Sequence, residues 1–165
     1  MEGKVGERKG RSDKKVDVKP TMSLTLKRQL YDFADLCNEP VKDIAERLCI
    51  QGMVSRNIIE EICKWFRRDY RYDNTIALGY IERPRLKLKS QGETGKVTMR
   101  LKPNDNDRLQ DLAYALDLTP TSTAAVLIRV TFKNTEFMTS FVEELKKVSE
   151  AERVKIRQFI ARFTR

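Results

Sequence analysis

Histidine is absent from all 165 residues, and that absence closes more chemistry than any residue present opens. Ser-His-Asp and Cys-His mechanisms take an imidazole as their general base, so neither is available. Glycine is sparse: seven residues are scattered along the chain, and neither GxGxxG nor GxxxxGK followed by Ser or Thr occurs, which argues against a nucleotide-dependent enzyme. The three cysteines, Cys37, Cys49 and Cys63, are an odd number lying far apart on helical patterns. They are expected to be buried thiols in a reducing compartment, because a disulfide framework wants pairs and a zinc site wants four ligands at short spacing. No apolar run reaches the roughly 18 residues of a membrane-spanning helix, and MEGKVGERKGRSDKK lacks the apolar core of a signal peptide. A cytoplasmic chain is expected. Glu60 with Glu61 and Asp105 with Asp107 sit in polar contexts that fit solvated faces, so the sequence predicts no enzyme, no metal and no cofactor.

What the chain has is positive charge. Its 33 Lys and Arg against 24 Asp and Glu give a net +9 and point to a polyanionic partner, nucleic acid ahead of an anionic membrane surface. With 40% hydrophobic residues beneath 35% charged ones, a packed interior is expected, in one domain or in two small units sharing a core.

Residues 1–15 are basic and glycine-rich with too few apolar side chains to bury, which predicts a disordered arm. From Val16 the pattern alternates: Val16, Val18, Met22, Leu24 and Leu26 on one parity, Asp17, Lys19, Thr21, Ser23 and Thr25 on the other. This predicts a half-buried strand. Pro20 lacks an amide donor, which confines the strand to an edge or delays its start to Thr21, and the later start is favoured. Leu30, Phe33, Ala34 and Cys37 then recur at helical spacing. After a turn at Pro40, Val41, Ile44, Ala45, Leu48 and Cys49 mark a second helix that stops at Gly52.

The same order returns about 77 to 80 positions later. Val97, Met99 and Leu101 alternate with Lys96, Thr98, Arg100 and Lys102; Leu109, Leu112, Ala113 and Leu116 follow at helical spacing; Thr119 caps Pro120 before Ala124, Ala125, Leu127 and Ile128. Met22 with Met99, Leu30 with Leu109, Asp32 with Asp111, Ala34 with Ala113 and Pro40 with Pro120 align the two. The predicted division is 1–15, a first repeat 16–53, a helical linker with a short strand 54–95, a second repeat 96–135 and C-terminal helices 136–165.

A short strand followed by two helices, written best in VTMRLKPNDNDRLQDLAYALDLTPTSTAAVLIR, resembles the ribbon-helix-helix DNA-binding family, of the MetJ and Arc kind. The resemblance covers about residues 20–52 and 96–133. It implies a mainly α fold with short β-strands, in which tandem repeats pair their strands into an antiparallel ribbon that enters the major groove of double-stranded DNA. On this chain it implies base reading by Lys96, Thr98 and Arg100, and by Thr21, Ser23 and Thr25, whose short uncharged side chains depart from the usual long readers. It also implies phosphate binding at Thr119, Thr121 and Ser122, with Lys42 at the matching point of the first repeat and Lys102 beside the second ribbon strand. The role implied is a transcriptional repressor or a plasmid or phage maintenance factor, nucleoid-associated in the cytoplasm. Two repeats in one chain would form the ribbon internally and read two unlike half-sites. The alternative is an ordinary dimer using one repeat.

The linker offers a competing arrangement. Ser55 opens a helix with Ile58, Ile59, Ile62, Trp65 and Phe66 on one side and Lys64, Arg67, Arg68 and Arg71 at its negative pole. Beyond it, Arg85, Lys87 and Lys89 alternate with Leu86 and Leu88, and QGETG would turn this segment back against Val97–Leu101. That hairpin would present a cationic sheet of Arg85, Lys87, Lys89, Lys96, Arg100 and Lys102 suited to RNA or single strands. A protein–protein adaptor using helical faces is the remaining alternative. At the C-terminus Ser149 and Glu152 form a capping box ahead of Ile156, Phe159, Ile160 and Phe163, a stripe for the core or for homo-oligomer formation.

Overall fold

The computed structural model describes residues 14–88 and 92–162. Most of the predicted basic arm, as well as Lys89 and Phe163, lies outside the described residues. The chain is mainly helical with short antiparallel strand pairs. In order these are β1 (Val16–Val18), β2 (Thr21–Ser23), α1 (Leu24–Leu36), α2 (Val41–Gly52), α3 (Arg56–Ile62), β3 (Tyr70–Tyr72), β4 (Thr75–Ala77), β5 (Thr94–Lys96), β6 (Met99–Leu101), α4 (Pro103–Leu116), α5 (Pro120–Lys133), α6 (Thr135–Glu143) and α7 (Glu150–Ile160). No helix among the described residues is long and apolar enough to cross a membrane.

The first strand runs on both sides of Pro20 and does not wait for Thr21. β1 pairs with β6, with Val16, Asp17 and Val18 opposite Leu101, Arg100 and Met99. β2 pairs with β5, with Thr21, Met22 and Ser23 opposite Lys96, Gly95 and Thr94. Both ladders keep one register, interrupted where Pro20 has no amide to give, and the Val97 amide still reaches the Pro20 carbonyl at 3.2 Å. In a two-stranded ribbon both strands are edges, which is where a proline is tolerated.

Leu24, Thr25 and Leu26 belong to α1 and not to the strand. Ser23 ends the strand because its hydroxyl accepts the Leu26 amide at 3.2 Å and caps the helix. Likewise β6 pairs with β1, and among the described residues, 85–88 form no strand against 97–101, so the predicted hairpin is not seen there. Arg85 instead bonds Asp117 at 2.8 Å, and the cationic sheet is not assembled. The linker helix is shorter than its spacing suggested: α3 ends at Ile62, a single 3-10 turn holds Cys63–Trp65, and Arg71 lies in the hairpin β3–β4.

One constant displacement along the chain relates corresponding positions of the two strand–helix–helix segments. It relates Ser23 to Lys102 at the helix starts, Asn38 to Asp117 at the turns and Pro40 to Thr119 before the second helices. Asn38 and Asp117 both take a left-handed backbone with φ of 58°. The second helices, α2 and α5, pack against each other; α2 covers β6, and α5 covers β1 and β2. Each unit therefore roofs the other's strand. The helices approach closely because Gly52 has no side chain: a Cβ there would stand 2.8 Å from Thr131 Cγ2. Cys37 and Cys49 are buried as expected, and burial pushes the Cys37 thiol up to about 12, but Cys63 is only half-buried.

The two added segments each hold one of these turns. Asp117 takes Arg67 at 3.1 Å, Arg68 at 3.3 Å and Arg85 at 2.8 Å, all from the linker. Asn38 donates to the Lys147 carbonyl at 3.0 Å and to Glu152 at 3.1 Å, both from the C-terminal segment, where Ser149 and Glu152 form the predicted capping box. Ile156 and Ile160 of α7 are buried, so much of the stripe read as a core or self-association face is used within the chain.

These anchors predict acid sensitivity. The Arg85 hydrogen bond, helped by Arg68, holds the Asp117 carboxyl below its usual range, and the Ser149 amide, helped by Asn38, does the same for Glu152. A carboxyl depressed in the folded chain gives stability that is full above its unfolded value, about 4, and is lost as pH falls through the folded one. Urea midpoints are expected to stay flat from about pH 7 to 5 and to drop below about pH 4, less steeply in Asp117→Asn. A parent profile with no drop below pH 4 would contradict the assignment.

Candidate nucleic-acid interface

Alternation decides which ribbon side chains are available. Val18, Met22, Val97, Met99 and Leu101 are buried against the helices. The other parity, Asp17, Lys19, Thr21, Lys96, Thr98 and Arg100, is exposed on the opposite face, with Ser23 half-buried at its end. The register carries Lys19 opposite Thr98, and the constant displacement makes those two residues equivalent. A pseudo-dyad therefore passes between them, with Asp17 matching Lys96 and Thr21 matching Arg100.

That symmetry corrects one of the reading sets. Lys96, Thr98 and Arg100 lie together on the exposed face as predicted, but their counterparts are Asp17, Lys19 and Thr21. Thr21 keeps its place. Ser23 is the helix cap, matching Lys102, and Thr25 lies in the first turn of α1, outside the ribbon. Lys102 is likewise exposed where β6 gives way to α4. The strand start placed at Thr21 caused the slip, since it leaves Asp17 and Lys19 out of the set; the pairing of Met22 with Met99 is displaced too, as Met22 corresponds to Leu101 and Met99 to Pro20.

The face is not uniformly basic. Arg100 Nε meets Asp17 Oδ1 at 3.0 Å across the ribbon, with both side chains about half exposed, so the pair is a weak one that an incoming partner can open. The Arg100 amide, pointing outward from the ribbon edge, donates to Glu46 of α2 at 2.8 Å. Lys19 and Lys96 have no such partner among the described residues.

Each flank of the ribbon carries a helix N-terminus. At α5 the Thr119 hydroxyl accepts the Ser122 amide at 3.1 Å and meets the Ser122 hydroxyl at 3.0 Å. The Thr123 amide donates to the Thr119 carbonyl at 2.9 Å, and among the described residues the Thr121 amide has no acceptor. Thr121 and Ser122 line a cleft of about 620 Å³ together with Thr21, Ser23 and Thr94, so the predicted phosphate residues of one unit stand beside the strand of the other. At α2, Pro40 supplies no side-chain cap, and among the described residues the Val41 and Lys42 amides have no acceptor, beside the exposed Lys42. Glu39, one residue before Pro40, carries a negative charge beside this helix start, but it is largely buried and paired with Arg47 at 3.4 Å and Lys147 at 3.3 Å.

Asp17, Lys19 and Thr94 were missed as site residues, though the first two were already visible on the polar parity. No group of His, Cys, Asp and Glu among the described residues could hold a metal ion. No protein-family model, curated protein or solved structure matches this chain.

Proposed function

We propose that the chain is a sequence-specific double-stranded DNA-binding protein of the ribbon-helix-helix kind, with two tandem repeats acting as one intramolecular pseudo-dimer. One observation carries the reading: strands from the two units form a single ribbon whose exposed parity is Asp17, Lys19, Thr21, Lys96, Thr98 and Arg100. At about 3.3 Å per residue its eight positions extend roughly 26 Å, and a two-stranded ribbon fits a major groove about 12 Å wide. Lys96 and Arg100 would read guanine, Thr21 and Thr98 thymine methyls or single acceptors, and Asp17 an amino group of cytosine once released from Arg100. The unspent amides of Thr121, Val41 and Lys42 would set the depth of entry by holding phosphates. Such a protein would serve as a transcriptional repressor or in plasmid or phage maintenance.

The test is selection of bound duplexes from a random library with the parent and with Arg100→Ala. The parent is expected to return a non-palindromic site, and the variant a site relaxed at one position by about 1–3 kcal/mol. Recovery of no preferred sequence by the parent would defeat the reading. Preference for RNA or single strands in the same binding assay would defeat it equally.

A further inference from the structure

The pseudo-dyad shows what the two flanks do not share. Beyond Thr121 and Ser122, α5 lines the cleft with Ala125, Arg129 and Lys133 on one face. The same two cations line an adjoining cleft of about 540 Å³, whose far wall includes Gln29 of α1 and Arg162 just past α7. Among the described residues, no Asp or Glu lines either cleft. Among the described residues, none of Arg129, Lys133 and Arg162 forms an ion pair. On the other flank the matching positions of α2 are Asp43, Glu46 and Ile50 in place of Ser122, Ala125 and Arg129. Past the helix starts, where Lys42 matches Thr121, α5 continues with cations and α2 with carboxylates.

We propose that this one-sided basic cleft is a second phosphate-gripping surface, holding the backbone of the duplex beyond the reading site on the α5 flank alone. The inference rests on the duplex-binding reading. From Thr121 to Lys133 the helix covers about 18 Å, longer than one phosphate group, and the track begins beside Thr21, Ser23 and Thr94 at the ribbon's end. Hydroxyls followed by guanidinium and ammonium groups from separate elements suit successive phosphates of one strand. A free nucleotide shares that chemistry, so it enters the test.

The experiment takes a duplex selected by the parent and trims its flanking base pairs from each end in turn. Affinity and its salt dependence are measured for the parent and for Arg129→Gln/Lys133→Gln, with ATP titrated alone as a further arm. The parent is expected to lose about tenfold in affinity when one particular end is trimmed and little when the other is. The double variant should bind the long duplex about tenfold more weakly, with a salt slope shallower by about 2, and be indifferent to trimming while keeping its base preference. Equal sensitivity at both ends, or a variant matching the parent on the long duplex, overturns the cleft's role and leaves the duplex-binding reading standing. ATP binding that depends on Arg129 and Lys133, without any trimming effect, overturns it in favour of a small phosphorylated ligand. Absence of any duplex binding by the parent overturns both.

Discussion

Thr98→Lys is expected to leave stability within about 0.5 kcal/mol of the parent, whereas Met99→Lys, one residue along, should cost more than about 4 kcal/mol. The two positions are neighbours in sequence and opposites in environment. Thr98 is exposed on the open face of the ribbon, and Met99 has no solvent-accessible surface. A lysine at 98 adds a solvated ammonium beside Lys19, a repulsion that water and salt screen. At 99 it must either bury that ammonium beneath the helices or drag the strand off its bed. Denaturant titration of both variants, read with the circular dichroism of the helices, checks this. Similar losses for the two would mean that the ribbon's parity is misassigned, and the interface with it.

Phe33→Ala is expected to destabilise the chain by about 3–5 kcal/mol. Phe33 is fully buried at the meeting of three segments. Its ring meets Phe132 of α5 edge-on at 5.4 Å and Phe141 of α6 at 6.0 Å, so α1, the second unit and the C-terminal helices share it. Removing the ring opens a cavity that no single element can collapse into, because its walls belong to separate helices. One cooperative transition, shifted to lower denaturant, is the expected result. A loss below about 1 kcal/mol would show that the three segments are not jointly packed there.

How much of this was legible follows from what each residue's partner is. Strand, helix and helix appeared twice because periods of two and 3.6 residues are written in consecutive side chains, and Thr119, Ser55 and Ser149 announced helix starts by local cap chemistry. Ser23 carried the same signal, but continuing alternation through Leu24 and Leu26 masked it, since those residues also suit a helix face. Pro20 then moved the expected strand start to Thr21, displacing the first reading set toward Ser23 and Thr25, and identical methionines set the wrong alignment of the repeats. The hairpin of Tyr70–Tyr72 with Thr75–Ala77 was marked by alternation around Asp73 and Asn74, yet a run of arginines drew the reading toward a helix end. Asp117 with Arg67, Arg68 and Arg85, and Asn38 with Glu152, join residues far apart along the chain. No local pattern encodes such contacts. The cations of α5 went unremarked because their importance lies in the contrast with α2, which only the packed pair reveals.

Because one polypeptide supplies both strands of the ribbon, its assembly is unimolecular. Melting temperature should then be the same at nanomolar and micromolar protein, with no subunit equilibrium to drain the folded population on dilution. A symmetric dimer must accept every substitution twice, once in each copy. Here the halves are separate addresses in one gene, free to diverge, as Asp17 in one unit at the position held by Lys96 in the other already records.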